Sequence, residues 1–521
     1  MTPGGATHIN QSDPVRVHEP ASTQFRPTPK HHVMMPTVLA SLLGPEVATD
    51  GDGRTVTITG LTADSRQVAP GFVFAALPGS KADGTAFIAG AVVRGAAAIL
   101  VREVAVLPQT LTIPVLRAVE PRLALARMAA RFYGPGPNTI VAVTGTSGKT
   151  SVAEFTRQIF AHAGHKAASL GTLGVIKPGG ASYGTLTTPD PVTLARTLAE
   201  LRAEGVTHLA MEASSHGLDQ YRLDGVQLTA AAFTNLGRDH MDYHPTVEHY
   251  FNAKMRLFRE LIPQGEHGIA VINADGAYAE EAIAVARERT HQIITVGRKG
   301  TTIRLADVQR EGFKQRLKIE VEGRMHEVLL PLVGAYQVEN ALVAVGLAHV
   351  FDGIEPVLAA LPHLKGVPGR LDIVGEARGG LAVVDYAHKP EALAAVLDAV
   401  RPFATGRLIC VFGCGGDRDR GKRPIMGGIA VDKADVVIVT DDNPRTENPA
   451  AIRAEVLKGA KGVREIGDRA QAIRAAVAMM GTGDVVLVAG KGHETGQIVG
   501  TTVLPFSDHE VLAAAMAEAG A

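Results

Sequence analysis

The stretch NTIVAVTGTSGKTSVAEFTRQIFAHAG, residues 138–164, decides the fold of this chain. Its first part is an apolar run rich in β-branched residues, which predicts a buried strand, and its last part predicts a helix. Between them lies TGTSGKT, whose glycines leave backbone N–H groups free to cradle phosphates at a helix N-terminus. Lys149 is expected to neutralise the charge of β- and γ-phosphates, and the Thr150 hydroxyl to ligate Mg²⁺.

This loop departs from the strict eight-residue phosphate-binding motif, because Val143 stands where that motif has its first glycine. The alternative interpretation is an ordinary glycine turn with a solvated lysine. The setting between a buried strand and a helix favours phosphate binding over that alternative.

Length and composition limit what the rest of the chain can be. The 521 residues are enough for about three domains at roughly 150 residues each. Lys and Arg total 52 and Asp and Glu total 53, so no net charge attracts the protein to nucleic acid or to anionic lipid. Two cysteines and the lack of a long apolar segment predict a cytoplasmic protein without a membrane span.

Turn-rich stretches divide the chain into a predicted α/β fold of three domains. Residues 1–34 have no apolar periodicity and are predicted to be a disordered arm. Residues 35–137 read as a small α/β domain, residues 138–367 as a larger one with a parallel-rich sheet, and residues 368–521 as a third βαβ series. The strand spacing in the third segment requires crossover helices and a parallel sheet.

Two further residues are candidates for the chemistry of the TGTSGKT loop, and a third is not one by its pattern alone. Glu212 ends the predicted strand THLAMEA, where a carboxylate at the carboxyl edge of a parallel sheet can complete a magnesium shell. His240 follows another strand and is a candidate second ligand, although a hydrogen-bonded loop histidine is the alternative. Lys254, by its residue pattern alone, would lie on the solvated face of an amphipathic helix.

Nine motifs in a single order between residues 62 and 508 resemble those of the Mur ligases of peptidoglycan synthesis. They are TGTSGKT, EASSHGLDQYR, FTNLGRDHMDYH, YFNAKMRLF, GVPGRLD, VVDYAHKPEAL, GCGGDRDRGKRP, DDNPR and AGKGHE. The resemblance implies an N-terminal domain for a uridine nucleotide, a central P-loop ATPase and a C-terminal Rossmann-like domain for the incoming amino acid. It also implies a cytoplasmic enzyme of cell wall biogenesis, which we expect to be a monomer.

The resemblance implies binding roles for two groups of residues. The acceptor UDP-N-acetylmuramoyl-L-alanyl-D-glutamate would be held by Ser65, Ser80, Lys81, Ala82, Thr187, Thr188, Ser214, Gln220 and Arg222. Ser80 and Lys81 differ from the His-Gln pair often found in the family. ATP would be held by Gly145, Thr146, Ser147, Gly148, Lys149, Thr150, Ser151, Asn273, Arg370 and Asp385.

Lys254 falls on the lysine that is carbamylated in this family, so the resemblance implies a CO₂-derived carbamate there. A carbamate is an anion that can hold Mg²⁺, whereas an ammonium would repel it. Lys149, Glu212, His240 and Lys254 would then be the catalytic residues. Thr150, Glu212, His240 and the carbamate would be the metal ligands.

The amino acid implied by the motif DDNPR is meso-2,6-diaminopimelate, because an arginine can pair with a distal carboxylate that lysine lacks. Its predicted contacts are Arg418, Asp442, Asn443, Pro444, Arg445, Gly490 and Glu494. The implied reaction is ATP-dependent amide formation through an acyl phosphate, which gives ADP and phosphate. Three alternatives stay open: the same ligase using L-lysine, a P-loop phosphotransferase, and a non-catalytic nucleotide-binding scaffold.

Overall fold

The computed structural model describes residues 36–50, 53–79, 83–107, 111–182, 184 and 186–520. The described residues belong to one compact unit built on three large sheets. We name the parts around these sheets the N-terminal lobe (residues 37–133), the central lobe (139–363) and the C-terminal lobe (372–520). The predicted disordered arm, residues 1–34, lies outside the described residues.

The N-terminal lobe is a small α/β layer. Its strands are β1 Thr37–Val38, β2 Ala48–Asp50, β3 Thr57–Ile58, β4 Gly60–Thr62, β5 Phe72–Ala75, β6 Ala98–Arg102 and β7 Val115–Ala118. Its helices are α1 Ile88–Val93 and α2 Pro121–Tyr133. The main sheet has the order β2-β7-β6-β5-β4 and is parallel from β4 to β7, while β1 pairs only with β3. Apolar residues on both faces of its middle strands β5 and β6 are buried.

The central lobe carries an eleven-stranded sheet of the order β11-β10-β9-β12-β8-β13-β14-β15-β16-β17-β18. Its strands are β8 Thr139–Thr144, β9 Ala167–Gly171, β10 Gly174–Lys177, β11 Gly180–Ser182, β12 His208–Glu212, β13 Ala230–Phe233, β14 Gly265–Asn273, β15 Thr290–Gly297, β16 Ile303–Glu311, β17 Lys314–Val321 and β18 Arg324–Leu330. In this spatial order, every pair of neighbouring strands from β9 to β16 (β9-β12-β8-β13-β14-β15-β16) is parallel.

Helices cover both faces of this central sheet. They are α3 Lys149–His162, α4 Pro191–Ala203, α5 Ser215–Asp219, α6 Val247–Arg256, α7 Ala279–Arg287, α8 Ala335–Asp352 and α9 Ile354–Ala360. Two separate apolar clusters fill the two faces, one under α3 and α8 and the other under α4 and α6. Because β8, β12, β13 and β14 are parallel neighbours, their carboxyl ends meet at one edge.

The C-terminal lobe has a six-stranded sheet of the order β19-β20-β24-β21-β22-β23, with only β19 antiparallel. Its strands are β19 Asp372–Ala377, β20 Gly380–Asp385, β21 Leu408–Phe412, β22 Val436–Val439, β23 Arg464–Glu465 and β24 Val485–Ala489, followed by the hairpin β25 Gly496–Val499 and β26 Thr502–Pro505. Its helices are α10 Pro390–Val400, α11 Lys422–Lys433, α12 Pro449–Leu457, α13 Arg469–Ala478 and α14 Asp508–Gly520. The predicted α/β fold with a parallel-rich central sheet is confirmed.

None of the helices among the described residues combines the length and the apolar character needed to cross a bilayer.

Candidate active site

The phosphate loop closes a central cavity of about 640 Å³ at the carboxyl edge of the central sheet. Gly145 has φ +149°, and a Cβ there would lie 1.9 Å from Thr234 Oγ1. Gly148 has φ +88°, and a Cβ there would lie 2.3 Å from Asn340 Oδ1. Both positions therefore require glycine, which explains the spacing of the loop.

Lys149, the first residue of α3, folds back over this loop. Its Nζ donates to the carbonyl oxygens of Gly145 at 2.9 Å and Thr146 at 3.0 Å. Burial lowers the pKa of Lys149, although the nearby Glu212 opposes that shift. The amine thus lies at the N-terminus of α3, where an anionic phosphate would favour its charged form.

Glu212 is the last residue of β12 and lies opposite Val143 in the neighbouring strand β8. It is almost completely buried. One carboxylate oxygen, Oε1, accepts from the backbone N–H of Thr172 at 2.7 Å, and Oε2 accepts from the Thr172 hydroxyl at 3.3 Å. These hydrogen bonds fix the carboxylate at the wall of the central cavity.

Lys254 projects from α6 into the same cavity and is only 1% exposed. The alternative of a solvated helix face is therefore excluded. Its Nζ donates to the carbonyl oxygen of Gly145 at 2.8 Å and lies 4.3 Å from the centre of the Tyr250 ring. Burial, together with the charge of Lys149, holds the pKa of Lys254 well below its ordinary value, which favours the neutral amine.

His240 and Thr150 complete the polar wall of the cavity. His240 has φ +56°, an uncommon backbone conformation, and its Nε2 lies 3.7 Å from Asp239 Oδ2. Burial lowers the pKa of His240, so its neutral, metal-binding form is favoured. Thr150, in the first turn of α3, is buried.

The donor set of this wall decides whether a magnesium ion would fit. Among the described residues, no three His, Cys, Asp or Glu side chains gather closely enough to hold a metal ion alone. Thr150 and Glu212 supply the oxygen ligands that Mg²⁺ prefers, and His240 adds a nitrogen. The residues fit magnesium when Lys254 carries further oxygen ligands, since an unmodified lysine supplies none.

Asn273, Arg370 and Asp385 also line the central cavity. Asn273, the last residue of β14, donates from Nδ2 to Glu339 Oε2 at 3.3 Å. Asp385, the last residue of β20, accepts from the backbone N–H groups of Leu371 and Ala387, each at 2.8 Å. Burial raises the pKa of Asp385, and the Arg370 guanidinium opposes that shift.

A second cavity, of about 810 Å³, lies between the N-terminal and central lobes, and we call it the N-terminal cavity. Of the residues predicted for the acceptor, Ser65, Gln220 and Arg222 line it. Arg222 donates from Nη2 to Gln220 Oε1 and from Nη1 to the carbonyl oxygen of Thr188, each at 2.7 Å. Ser80, Lys81 and Ala82 lie outside the described residues.

Thr187 and Ser214 line the central cavity, whereas Thr188 is buried behind it. The Thr188 hydroxyl donates to the carbonyl oxygen of Glu212 at 3.0 Å and accepts from the backbone N–H of Ser214 at 3.0 Å. The Thr188 hydroxyl therefore ties its own loop to the end of β12 and to Ser214.

A third cavity, of about 700 Å³, lies at the carboxyl edge of the C-terminal sheet, and we call it the C-terminal cavity. It brings together the predicted residues Arg418, Asp442, Asn443, Arg445, Gly490 and Glu494. Pro444 does not line it. His388 and Lys389 line both this cavity and the central one, so the two cavities adjoin.

Arg445 has φ +52°, and its Nη1 donates to the carbonyl oxygen of Gly416 at 2.8 Å. Glu494 accepts at Oε2 from Asn443 Nδ2 at 2.9 Å. Asp442 is buried, which raises its pKa, while Arg469 opposes that shift. The C-terminal cavity therefore offers both carboxylates and guanidinium groups, as a zwitterionic ligand requires.

Sequence reasoning missed several lining residues. Tyr336, Glu339, Asn340 and Val343 line the central cavity from a single face of α8. Their spacing of three and four residues, at the start of an otherwise apolar helix, was the available signal. Lys491, which lies behind the C-terminal cavity and not in its lining, was also missed, although a charged residue two positions after the apolar strand β24 was a signal for it.

Three family models match the chain. They are "Mur ligase family, catalytic domain" at residues 57–133, "Mur ligase middle domain" at residues 143–348 and "Mur ligase, glutamate ligase domain" at residues 369–492. Together they cover most of the described lobes in the order in which the lobes occur.

Relatives and solved structures match over nearly the full chain. The UDP-N-acetylmuramoyl-L-alanyl-D-glutamate--2,6-diaminopimelate ligase of Rhizobium meliloti (strain 1021) is 59% identical over 478 residues, covering 91% of this chain and 97% of the relative. The protein of that name from Bradyrhizobium diazoefficiens is 57% identical, covering 92% of this chain and 99% of the relative. A solved structure of a ligase with that name is 32% identical, covers 93% of this chain and 99% of its own, and has a TM-score of 0.70.

Proposed function

This chain belongs to the Mur ligase family, and from that premise we propose that it joins UDP-N-acetylmuramoyl-L-alanyl-D-glutamate to meso-2,6-diaminopimelate. ATP would drive the reaction and leave as ADP and phosphate. The observation that carries the proposal is the shared lining of the central and C-terminal cavities by His388 and Lys389. A carboxylate activated in the central cavity would therefore meet an amine held in the adjoining one.

The phosphate loop would hold the triphosphate through its N–H groups and Lys149. Elsewhere in the cavity wall, Asn273 would contact adenine and Asp385 the ribose, while Arg370, whose charge acts on Lys149, would contact the γ-phosphate. The acceptor carboxylate would attack the γ-phosphoryl group in line and become an acyl phosphate. Lys149 and the N-terminus of α3 would stabilise the charge that spreads over the transferring group.

Thr150, Glu212, His240 and a carbamate on Lys254 would hold magnesium at this point. A neutral Lys254 amine adds to CO₂ with loss of one proton, and its low pKa supports that modification. When bound, magnesium would neutralise phosphate charge that the protein alone leaves uncompensated.

The amine would then displace phosphate from the acyl phosphate and form the amide. Ser65, Gln220 and Arg222 would keep the nucleotide-linked acceptor in the N-terminal cavity, while Thr187 and Ser214 would lie nearer the reacting end. Arg418, Arg445 and Glu494 would orient the amino acid from the far end. Much of the rate would come from this positioning of three substrates. We expect the enzyme to work in the cytoplasm as a monomer.

An amino-acid panel tests this proposal. Purified protein is given ATP, magnesium, UDP-N-acetylmuramoyl-L-alanyl-D-glutamate and one amino acid at a time, and free phosphate and the amide product are measured. We expect both products with meso-2,6-diaminopimelate and little of either with L-lysine. Phosphate transfer to an acceptor hydroxyl without amide formation would indicate a phosphotransferase instead.

The matched control pair for this assay is Lys149→Met and Lys433→Met. Lys433 pairs with Asp398 at 2.7 Å in the C-terminal lobe and lines none of the three cavities. Lys149→Met should abolish phosphate release, and Lys433→Met should retain it. Equal activity in the two variants would contradict the assigned role of the phosphate loop.

A further inference from the structure

A buried lysine lies directly behind the polar wall of the C-terminal cavity. Lys491, two residues after β24, is completely buried. Its Nζ lies 2.9 Å from Glu494 Oε2 and donates to Asn443 Oδ1 at 3.1 Å. Two of the residues proposed to bind the amino acid are thus joined through a cation that does not itself line the cavity.

These contacts fix one oxygen of Glu494 and leave the other for a ligand. Oε2 receives hydrogen bonds from both Lys491 and Asn443, and Asn443 Oδ1 also accepts from the backbone N–H of Ile498 at 2.9 Å. Within the described residues, no side chain or backbone group donates to Glu494 Oε1. The carboxylate is therefore oriented from behind, with its second oxygen unused.

The lining of the C-terminal cavity is balanced in charge. Its four cationic side chains are Lys389, Arg418, Lys422 and Arg445, and its four anionic ones are Glu391, Asp419, Asp442 and Glu494. Lys491 adds one positive charge directly behind two of those anions, because it attracts Asp442 as well as Glu494. Without it, the same cavity would be more negative by one charge.

We propose that Lys491 determines amino-acid specificity by setting the charge of this cavity. The cavity then accepts an amino acid whose far end, the end remote from the reacting amine, is zwitterionic in preference to one whose far end is a lone ammonium. The inference rests on the proposed ligase function and deepens it. Lys491 touches Glu494 and Asn443, not the cavity, so it is a positioning residue. Its charge opposes a ligand that brings an unaccompanied positive charge and tolerates one that brings an ammonium and a carboxylate together.

A series of amines with different far-end charges tests this role. L-Lysine carries +1 at its far end, meso-2,6-diaminopimelate carries 0 and L-2-aminopimelate carries −1 at neutral pH. Steady-state kcat/KM is measured for each with the wild-type protein, Lys491→Met and Lys491→Arg. We expect Lys491→Met to change relative kcat/KM by roughly tenfold per unit of far-end charge, with 2-aminopimelate losing most and lysine least.

Lys491→Arg keeps the charge and should keep the wild-type order of the three amines. Lys433→Met removes a lysine elsewhere in the same lobe and should leave all three values unchanged. A loss by the same factor for all three amines in Lys491→Met would overturn the proposal, since a purely structural role predicts that result.

Glu494→Gln provides a second, opposite test that also serves if Lys491→Met does not fold. Because this variant removes a negative charge, the order of the losses in kcat/KM should be reversed, and the largest loss should be seen with lysine as the substrate. The double variant Lys491→Met/Glu494→Gln restores the charge balance and should return towards the wild-type order. A uniform loss in Glu494→Gln would also overturn the proposal. Absence of diaminopimelate-dependent phosphate release in the wild-type protein would instead contradict the proposed function itself.

Discussion

Lys389 of the C-terminal lobe donates from Nζ to Oδ1 of Asp239 in the central lobe over 2.9 Å. Asp239 immediately precedes His240, and Lys389 lines both the central and the C-terminal cavity. One ion pair therefore connects the loop that carries a proposed metal ligand with the lobe that would carry the amine. It lies where the two lobes must meet for the reaction.

We expect Lys389→Met to lower kcat/KM for diaminopimelate by a factor of about 1.4 to 5, because a half-exposed ion pair contributes roughly 0.2–1 kcal/mol. Salt screens such a pair. Raising the sodium chloride concentration should therefore reduce wild-type kcat/KM towards that of the variant, while the variant changes less. A difference between the two proteins that persists unchanged at high salt would show that Lys389 acts through something other than this pair.

We expect Lys254→Ala to lose nearly all activity and to regain part of it when a short carboxylic acid is added. The reason is that the cavity vacated by the side chain could admit a carboxylate in place of the proposed carbamate. Mass spectrometry under gentle conditions, or ¹³C NMR with labelled CO₂, should detect the carbamate on the wild-type protein. Lys254→Arg, which keeps a cation, should be neither active nor rescued, and full activity in that variant would argue against a carbamate.

We expect Arg445→Ala to lower kcat/KM for diaminopimelate by about 10- to 100-fold, because charge-assisted hydrogen bonds contribute about 1.5–3 kcal/mol. The KM for ATP should change far less, since Arg445 lines only the C-terminal cavity. Arg445→Lys keeps the charge but lacks the planar guanidinium group. Its kcat/KM for diaminopimelate should lie between those of Arg445→Ala and the parent protein. Equal activity of Arg445→Ala and the parent would remove the basis for choosing diaminopimelate.

His208 predicts how folding stability depends on pH. Its ring stacks on His165 at 3.8 Å between ring centres, and burial lowers the pKa of His208 to about 4. The unfolded chain therefore binds a proton on His208 below about pH 6.5, where the folded protein does not. The free energy of unfolding should consequently fall as pH falls from about 6.5 to 4.

Urea unfolding at pH 7.5 and pH 5 measures this effect. His208→Gln removes the titrating group. From pH 7.5 to pH 5, its free energy of unfolding should therefore fall by about 1 kcal/mol less than that of the wild-type protein. This value is reduced for the partial exposure of the ring. His267→Gln, at an exposed position on β14, is the matched control and should behave like the wild type. The same pH dependence in all three proteins would exclude His208 as its source.

Much of the fold and of the site was readable from short stretches of sequence. The phosphate loop follows from an apolar strand, two glycines and a helix that are contiguous in the chain. Glu212 could be assigned to a strand end, because parallel strands of one sheet bring their carboxyl ends to a single edge, whereas Asn273 and Asp385 came from the family resemblance. The order of the nine motifs then identified the family, which the three family models confirm.

Other features depended on contacts between distant parts of the chain. Lys254 looked solvent-facing in its own helix, yet it is buried against Gly145, 109 residues away. The Thr188 hydroxyl bonds the carbonyl oxygen of Glu212 and the N–H group of Ser214, which lie 24 and 26 residues further along the chain. No local pattern could show these partners.

The sequence by itself determined the strands, helices, loop chemistry and family of this protein, because those properties are carried by neighbouring residues. Only the tertiary structure decided which charges are buried together, including Lys491 behind Glu494 and Lys389 beside Asp239. The physical reason is that the energy of a charge depends on the solvent and partners around it, and packing brings those partners from distant parts of the chain.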